Sequence, residues 1–143
     1  MDISISEAAP QDYAELEKLY LQVRQQTFFW LDKDALQQAS FIADTKDELI
    51  LKAQVQGEIV GFISIWLPDS FIHHLYIKSD FQRKGVGKAL LQKAISILDA
   101  PVTLKCLQQN TSAVNFYLKN NWFQKSEGFS YEGMYILFEY NGK

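Results

Sequence analysis

The stretch FIHHLYIKSDFQRKGVGKALLQKAISIL, residues 71–98, constrains the fold more than any other part of the chain. Its first seven residues have strand composition. From Val86 onward, Val86, Leu90, Ala94 and Ile97, joined by Ala89, Leu91, Ile95 and Leu98, recur at helical spacing. Between strand and helix lies a charged loop that enters the helix through Gly85 and Gly87. A helix N-terminus presents unpaired N–H groups and a partial positive charge, so it attracts anions. Arg83, Lys84 and Lys88 add positive charge, and two glycines let a ligand come close to the backbone. The unit is therefore a strand, an anion-binding loop and a helix.

Spacing decides between three phosphate loops. A dinucleotide fingerprint, G-x-G-x-x-G, fails because its third glycine is Leu90. A G-x-x-x-x-G-K-[ST] loop fails at both ends, at Gln82 and Ala89. What remains is Q-x-x-G-x-G over Gln82–Gly87.

The rest of the chain supplies strands and helices around this unit. Ile3 and Ile5 alternate with polar residues as a first strand. Pro10 suits a first helical turn, followed by Tyr13, Leu16, Leu19, Tyr20 and Val23 at helical spacing. Asp32 is placed to cap a second short helix. ELILKAQVQGEIVGFISIW reads as a hairpin turning at Gln56-Gly57, and Pro68-Asp69 as the turn before FIHHLYI. Pro101 ends the helical segment and VTLKCL follows as a strand. Asn110, Thr111 and Ser112 can cap SAVNFYLKN, and Asn120 and Asn121 can supply the left-handed turn that stops it. WFQKS and MYILFEY close the chain as a hairpin across Glu127–Gly133. The expected class is α/β, a mixed sheet with helices packed on it, in one domain over residues 1–143.

Composition narrows the function. The net charge is −3 with a pI near 5.3, which argues against a nucleic-acid or anionic-membrane partner. A single cysteine, Cys106, excludes an intrachain disulfide and a multi-cysteine metal site, and no metal is expected. The N-terminus has neither a basic start nor an apolar run, and no apolar stretch approaches the ~20 residues that cross a bilayer. A soluble cytoplasmic protein is the expectation.

The loop Gln82-Arg83-Lys84-Gly85-Val86-Gly87 resembles the pyrophosphate loop of the GCN5-related N-acetyltransferase (GNAT) superfamily. HHLYIKSDFQRKGVGKALL resembles that family's strand, loop and helix motif over its full length, and GEIVGFISIW is similar to its middle hairpin. Downstream, LKCLQQNTSAVNFYLKNNWF resembles its second motif through Asn110, Ala113, Phe116-Tyr117 and Asn121-Trp122. The family usually has glycine where this chain has Asn121, and Asn is the next best left-handed residue. The resemblance implies a mixed, mostly antiparallel sheet splayed between its fourth and fifth strands and flanked by about four helices.

It also implies acetyl-CoA as cosubstrate. The cofactor would run along Leu75, Tyr76 and Ile77, with its diphosphate on Gln82–Lys88 and further contacts from Asn110, Phe116 and Tyr117. The backbone N–H of Leu75 matches the donor to the thioester carbonyl, where negative charge develops. Tyr117 matches the general acid that serves the departing sulfur. Strand alternation puts His73 with Phe71, Leu75 and Ile77, and His74 with Ile72 and Tyr76 on the opposite face. His73 stands where several relatives carry an acidic residue or a histidine, and imidazole suits a base at neutral pH; a relay through water and His74 remain open. Cys106 reads as a small buried hydrophobe before it reads as a nucleophile.

Phe28, Phe29 and Trp30 fall in the region that forms the acceptor wall in the family, and Trp66, Tyr131, Met134 and Tyr135 could join them or belong to the core. The leading expectation is acetyl transfer to a primary amine of a small molecule. Transfer to a protein N-terminus or lysine would need an open groove, and an acyl-CoA-binding module without catalysis would not need Tyr117 and His73. Whether the chain acts alone or as a homodimer stays open.

Overall fold

The computed structural model describes residues 1–31 and 40–142, so Asp32 and the helix it was expected to cap lie outside the described residues. Seven strands form one sheet: β1 (Ile3–Glu7), β2 (Leu49–Val55), β3 (Glu58–Trp66), β4 (Phe71–Ile77), β5 (Val102–Leu107), β6 (Phe123–Ser130) and β7 (Gly133–Tyr140). Their order is β1-β2-β3-β4-β5-β7-β6. All neighbours are antiparallel except β4 and β5. The described helices are α1 (Tyr13–Thr27), α2 (Phe41–Asp44), α3 (Val86–Ile97) and α4 (Thr111–Lys119).

Two apolar layers hold helices to the sheet. Leu16, Leu19, Tyr20 and Val23 of α1 pack with Phe41, Ile50, Ile59 and Phe62 on one face. Val86, Leu90, Leu91 and Ala94 of α3 pack with Ile63, Ile65, Ile72, Val102 and Leu104 on the other. Each fully buried leucine or phenylalanine contributes on the order of 1.5–3 kcal/mol, so these stripes fix where α1 and α3 sit. Ile97, counted in the stripe by spacing, is 46% exposed because the helix ends there.

Turn chemistry sets the register. Gln56 and Gly57 both have positive φ, 52° and 81°, the geometry of a two-residue hairpin. The last hairpin differs from expectation. β6 and β7 pair from Phe123↔Glu139 to Ser130↔Gly133, so the turn is only Tyr131-Glu132 and the strands absorb the rest of Glu127–Gly133. Gly128 permits this, because a Cβ there would lie 2.2 Å from the Tyr135 ring that crosses it. No described helix is long and apolar enough to cross a membrane.

Candidate active site

The loop after β4 is built around left-handed backbone. Arg83 has φ 62°, and Gly85, the residue that caps α3, has φ 87°. Gln82 steadies the approach by donating from Nε2 to the carbonyl of Ile77 at 3.1 Å. The first amide of this segment to find a backbone acceptor is Ala89, which bonds Gly85 O at 3.0 Å. The N–H groups of residues 83–88 have no hydrogen-bond partner among the described residues, and Gln82–Gly85 and Lys88 are exposed. A fan of free N–H groups at a helix start, edged by Arg83, Lys84 and Lys88, fits a diphosphate. The two glycines differ in role. Gly85 supplies the positive φ, whereas a Cβ on Gly87 would point at Phe116 Cζ (3.5 Å) and Ile77 Cγ1 (3.7 Å). Gly87 thus sits at the junction of α3, β4 and α4.

Beside the loop, the sheet opens. β4 and β5 pair only at Phe71↔Thr103 and Ile72↔Leu104, at their N-terminal ends, and then diverge. Lys78 N donates to Val60 O at 2.8 Å, so Lys78 and Val60 form a hydrogen-bonded pair. Pair types alternate along an antiparallel ladder, which turns the N–H and C=O of Leu75 and Ile77 away from β3, toward the gap. Gln82 reaching Ile77 O agrees with this. Tyr76 is oriented differently from its expected role: its main chain faces β3, and its side chain stacks on Tyr20 of α1 at 5.5 Å.

The histidines correct a second expectation. Ser64 pairs with His74 and Ile65 with Ile72, which leaves His73 as the extra residue of a β-bulge. Simple alternation fails across a bulge. Ile72 lies with Leu75 and Ile77 on the α3 side, while the His73 and His74 rings lie together, centroids 3.9 Å apart, on the α1 side. His74 is buried, with Nδ1 2.8 Å from Ser64 Oγ and its ring edge-on to Tyr20. Burial first, then His73 and Arg24, holds its pKa well below the ordinary value, so it is neutral. His73 is exposed, and its Nδ1 lies 2.7 Å from Glu48 Oε2. Sequence reading missed Glu48, which stands 25 residues earlier in a turn with no motif around it.

Tyr117 comes from the other side of the gap. Asn110 caps α4, its side chain accepting from Ala113 N at 3.3 Å while its own carbonyl accepts from Val114 N at 3.0 Å. At the far end Asn121 takes the left-handed conformation (φ 71°), and Trp122 N returns to Tyr117 O at 3.1 Å. This closure also lays Trp122 against Tyr117, ring centroids 5.9 Å apart. Tyr117 is buried among Phe116, Trp122 and Phe138. Burial, with smaller effects from Cys106 and Tyr76, raises its pKa, so the phenol keeps its proton. The Cys106 thiol nearby is pushed up to about 12 by burial and is no nucleophile at neutral pH.

Both sides meet in a cleft of about 330 Å³ lined by Arg24, Phe28, residues 71–76, residues 104–107, Asn110, Ala113, Tyr117, Ser130, Glu132 and Tyr135. Its far wall is polar as well as aromatic. Arg24 donates to the Tyr76 hydroxyl at 3.0 Å and to Glu132 Oε2 at 2.7 Å, and it lies over the Phe28 ring at 5.0 Å. Trp30 Nε1 donates to Glu132 O at 3.3 Å, so two contacts tie the end of α1 to the last turn. Of the aromatics expected here, Phe28 and Tyr135 reach the cleft; Phe29 and Tyr131 are 79% and 93% exposed. Arg24 and Glu132 were not anticipated, since a single arginine on an amphipathic helix looks like a solvated one.

Residues 11–122 match the family model described as Acetyltransferase (GNAT) family. The chain belongs to the GNAT acetyltransferases. Several solved structures share the fold. Apo YjaB from Escherichia coli superposes with a TM-score of 0.84 at 21% identity, covering 100% of both chains. The PaiA N-acetyltransferase from Thermoplasma acidophilum, in complex with coenzyme A, gives 0.82 at 19% identity over 98% of this chain and 100% of that one. A ribosomal-protein alanine N-acetyltransferase from Escherichia coli gives 0.74 at 16% identity over 98% and 94%. GNAT chemistry is acetyl-CoA-dependent acyl transfer, and the splayed sheet with its N–H-lined loop fits that cosubstrate.

Proposed function

We propose that this GNAT enzyme transfers an acetyl group from acetyl-CoA to the primary amine of a small molecule. The observation that carries this reading is the tie that forms the far wall of the cleft. Arg24 and Trp30 both hold Glu132, which joins α1 to the β6–β7 turn where a peptide-acetylating enzyme would need an open groove.

The residues divide the work. The free amides of 83–88 bind the diphosphate, and the loop lysines and arginine neutralise its charge. Leu75 N–H stabilises the oxygen on which charge builds, at an effect typical of such donors of about 10²–10³-fold. His73 takes one proton from the acceptor ammonium. Tyr117 gives one to the departing sulfur and regains it from the nitrogen as the amide forms. Acetyl-CoA supplies the thioester carbon that accepts the amine.

A screen of amines and peptides with a thiol-release readout tests the proposal. Turnover with small primary amines and little with peptides is expected. Turnover confined to peptides or proteins would overturn it.

A further inference from the structure

We infer that Glu48 is a positioning residue for His73: its carboxylate selects the imidazole tautomer protonated on Nδ1 and so leaves Nε2 free to take the acceptor's proton. The inference rests on the acetyl-transfer reading above.

The pair is built unequally. The Glu48 side chain is 7% exposed and that of His73 41%. Glu48 Oε1 is buried and has no hydrogen-bond partner among the described residues, so His73, 2.7 Å from Oε2, is the contact that satisfies this carboxylate. Burying a carboxylate is costly unless it is paired and hydrogen-bonded, and His73 is the partner seen for this one among the described residues. The backbone holds Glu48 in place: its N–H donates to Thr45 O at 3.0 Å, and Asp47 before it sits at φ 64°. The bulge in β4 brings the other half, turning both histidines toward the α1 face where Glu48 lies.

An ionised carboxylate only accepts hydrogen bonds, and neutral imidazole has a single N–H. Bonding through Nδ1 therefore puts the lone pair on Nε2. When an ammonium N–H bond breaks and Nε2–H forms, positive charge moves from the acceptor to the imidazole, beside a carboxylate already present. His74 is buried with its Nδ1 on Ser64 Oγ, whereas His73 is exposed, so the proton is assigned to His73. Among the described residues, the other charged groups bordering the cleft are Arg24 from α1, Lys105 from β5 and Glu132 from the last turn. Glu132 is engaged by Arg24, and Lys105 lies over Tyr135, which leaves Glu48 as the charge in contact with His73.

Ring ¹⁵N NMR of the full chain reads the tautomer directly. The sequence has two histidines, so a His74→Gln variant assigns both. Chelator is included, because the ligand atoms of Glu48, His73 and His74 lie within 4.8 Å of one another and could trap a stray cation. Neutral wild-type His73 is expected as the Nδ1–H form, shifting toward Nε2–H in Glu48→Gln. A wild-type Nε2–H form, or ring shifts unchanged by the substitution, overturns the inference. In turnover, Glu48→Gln should lower kcat by roughly 10–10²-fold with KM for acetyl-CoA unchanged. Glu48→Gln/His73→Ala should be no slower than His73→Ala alone, and multiplying losses would contradict a shared role. If no amine is acetylated at all, the functional reading fails, while the wild-type tautomer still decides the role of Glu48.

Discussion

At Tyr117 the proposed chemistry and the packing fall on different atoms of one side chain. Its ring is packed on Trp122 and Phe138, while the residue borders the cleft. Tyr117→Phe keeps the packing, so the thermal shift on adding acetyl-CoA should survive while kcat falls about 10²-fold or more. An unchanged kcat would remove Tyr117 from the mechanism. His74 makes the opposite kind of prediction. Its folded-state pKa is depressed, so below the ordinary histidine value the unfolded chain binds a proton that the folded chain refuses. Its contribution is complete above about pH 6.5 and is lost as pH falls below that, at up to about 1.4 kcal/mol per pH unit. Denaturant titrations of wild type and His74→Gln across that window should show the flatter dependence in the variant; parallel curves would contradict a neutral buried imidazole. The family motif singled out Tyr117 and both histidines as candidates in sequence. Glu48 and Arg24 were not, because their partners lie 25, 52 and 108 residues away and no local pattern marks such pairs.

Elements explain which sequence readings held and which did not. The α3 segment declared itself through a 3.6-residue stripe and a glycine at its start, and α4 through the capping Asn110 at its own. β4 misled, because a period of two assumes a regular strand and a single bulge at His73 reverses the faces around it. Nothing in FIHHLYI announces that extra residue; the pairing with β3 creates it. The end of α4 was readable: Asn121 accepts positive φ and lets Trp122 fold back onto Tyr117. Asn121→Ala should therefore cost about 1 kcal/mol or more, and Asn121→Gly should cost nothing. Equal denaturant midpoints for the two variants would show that the left-handed turn is not what holds this end.

Across the whole molecule, one discontinuity organises the function. Six strand pairs hold the sheet, but β4 and β5 are in register at two positions and then part, and the cleft occupies the space where they do. Element order alone could give a mixed sheet; the splay entered through the family resemblance, since two strands that diverge look no different in sequence from two that pair. The helices then put the anion loop on one side of the gap and the Arg24–Glu132 tie on the other. Acetyl-CoA is proposed to lie in this gap with its diphosphate on the loop amides. At a hundredfold excess over its dissociation constant the ligand should stabilise the fold by about 2.7 kcal/mol. Amide chemical-shift mapping during a coenzyme A titration tests this placement. The largest movements are expected at residues 83–88 and at Leu75 and Ile77, with none on adding NADH. Movements centred on another surface, or saturation with NADH and not with coenzyme A, would contradict it.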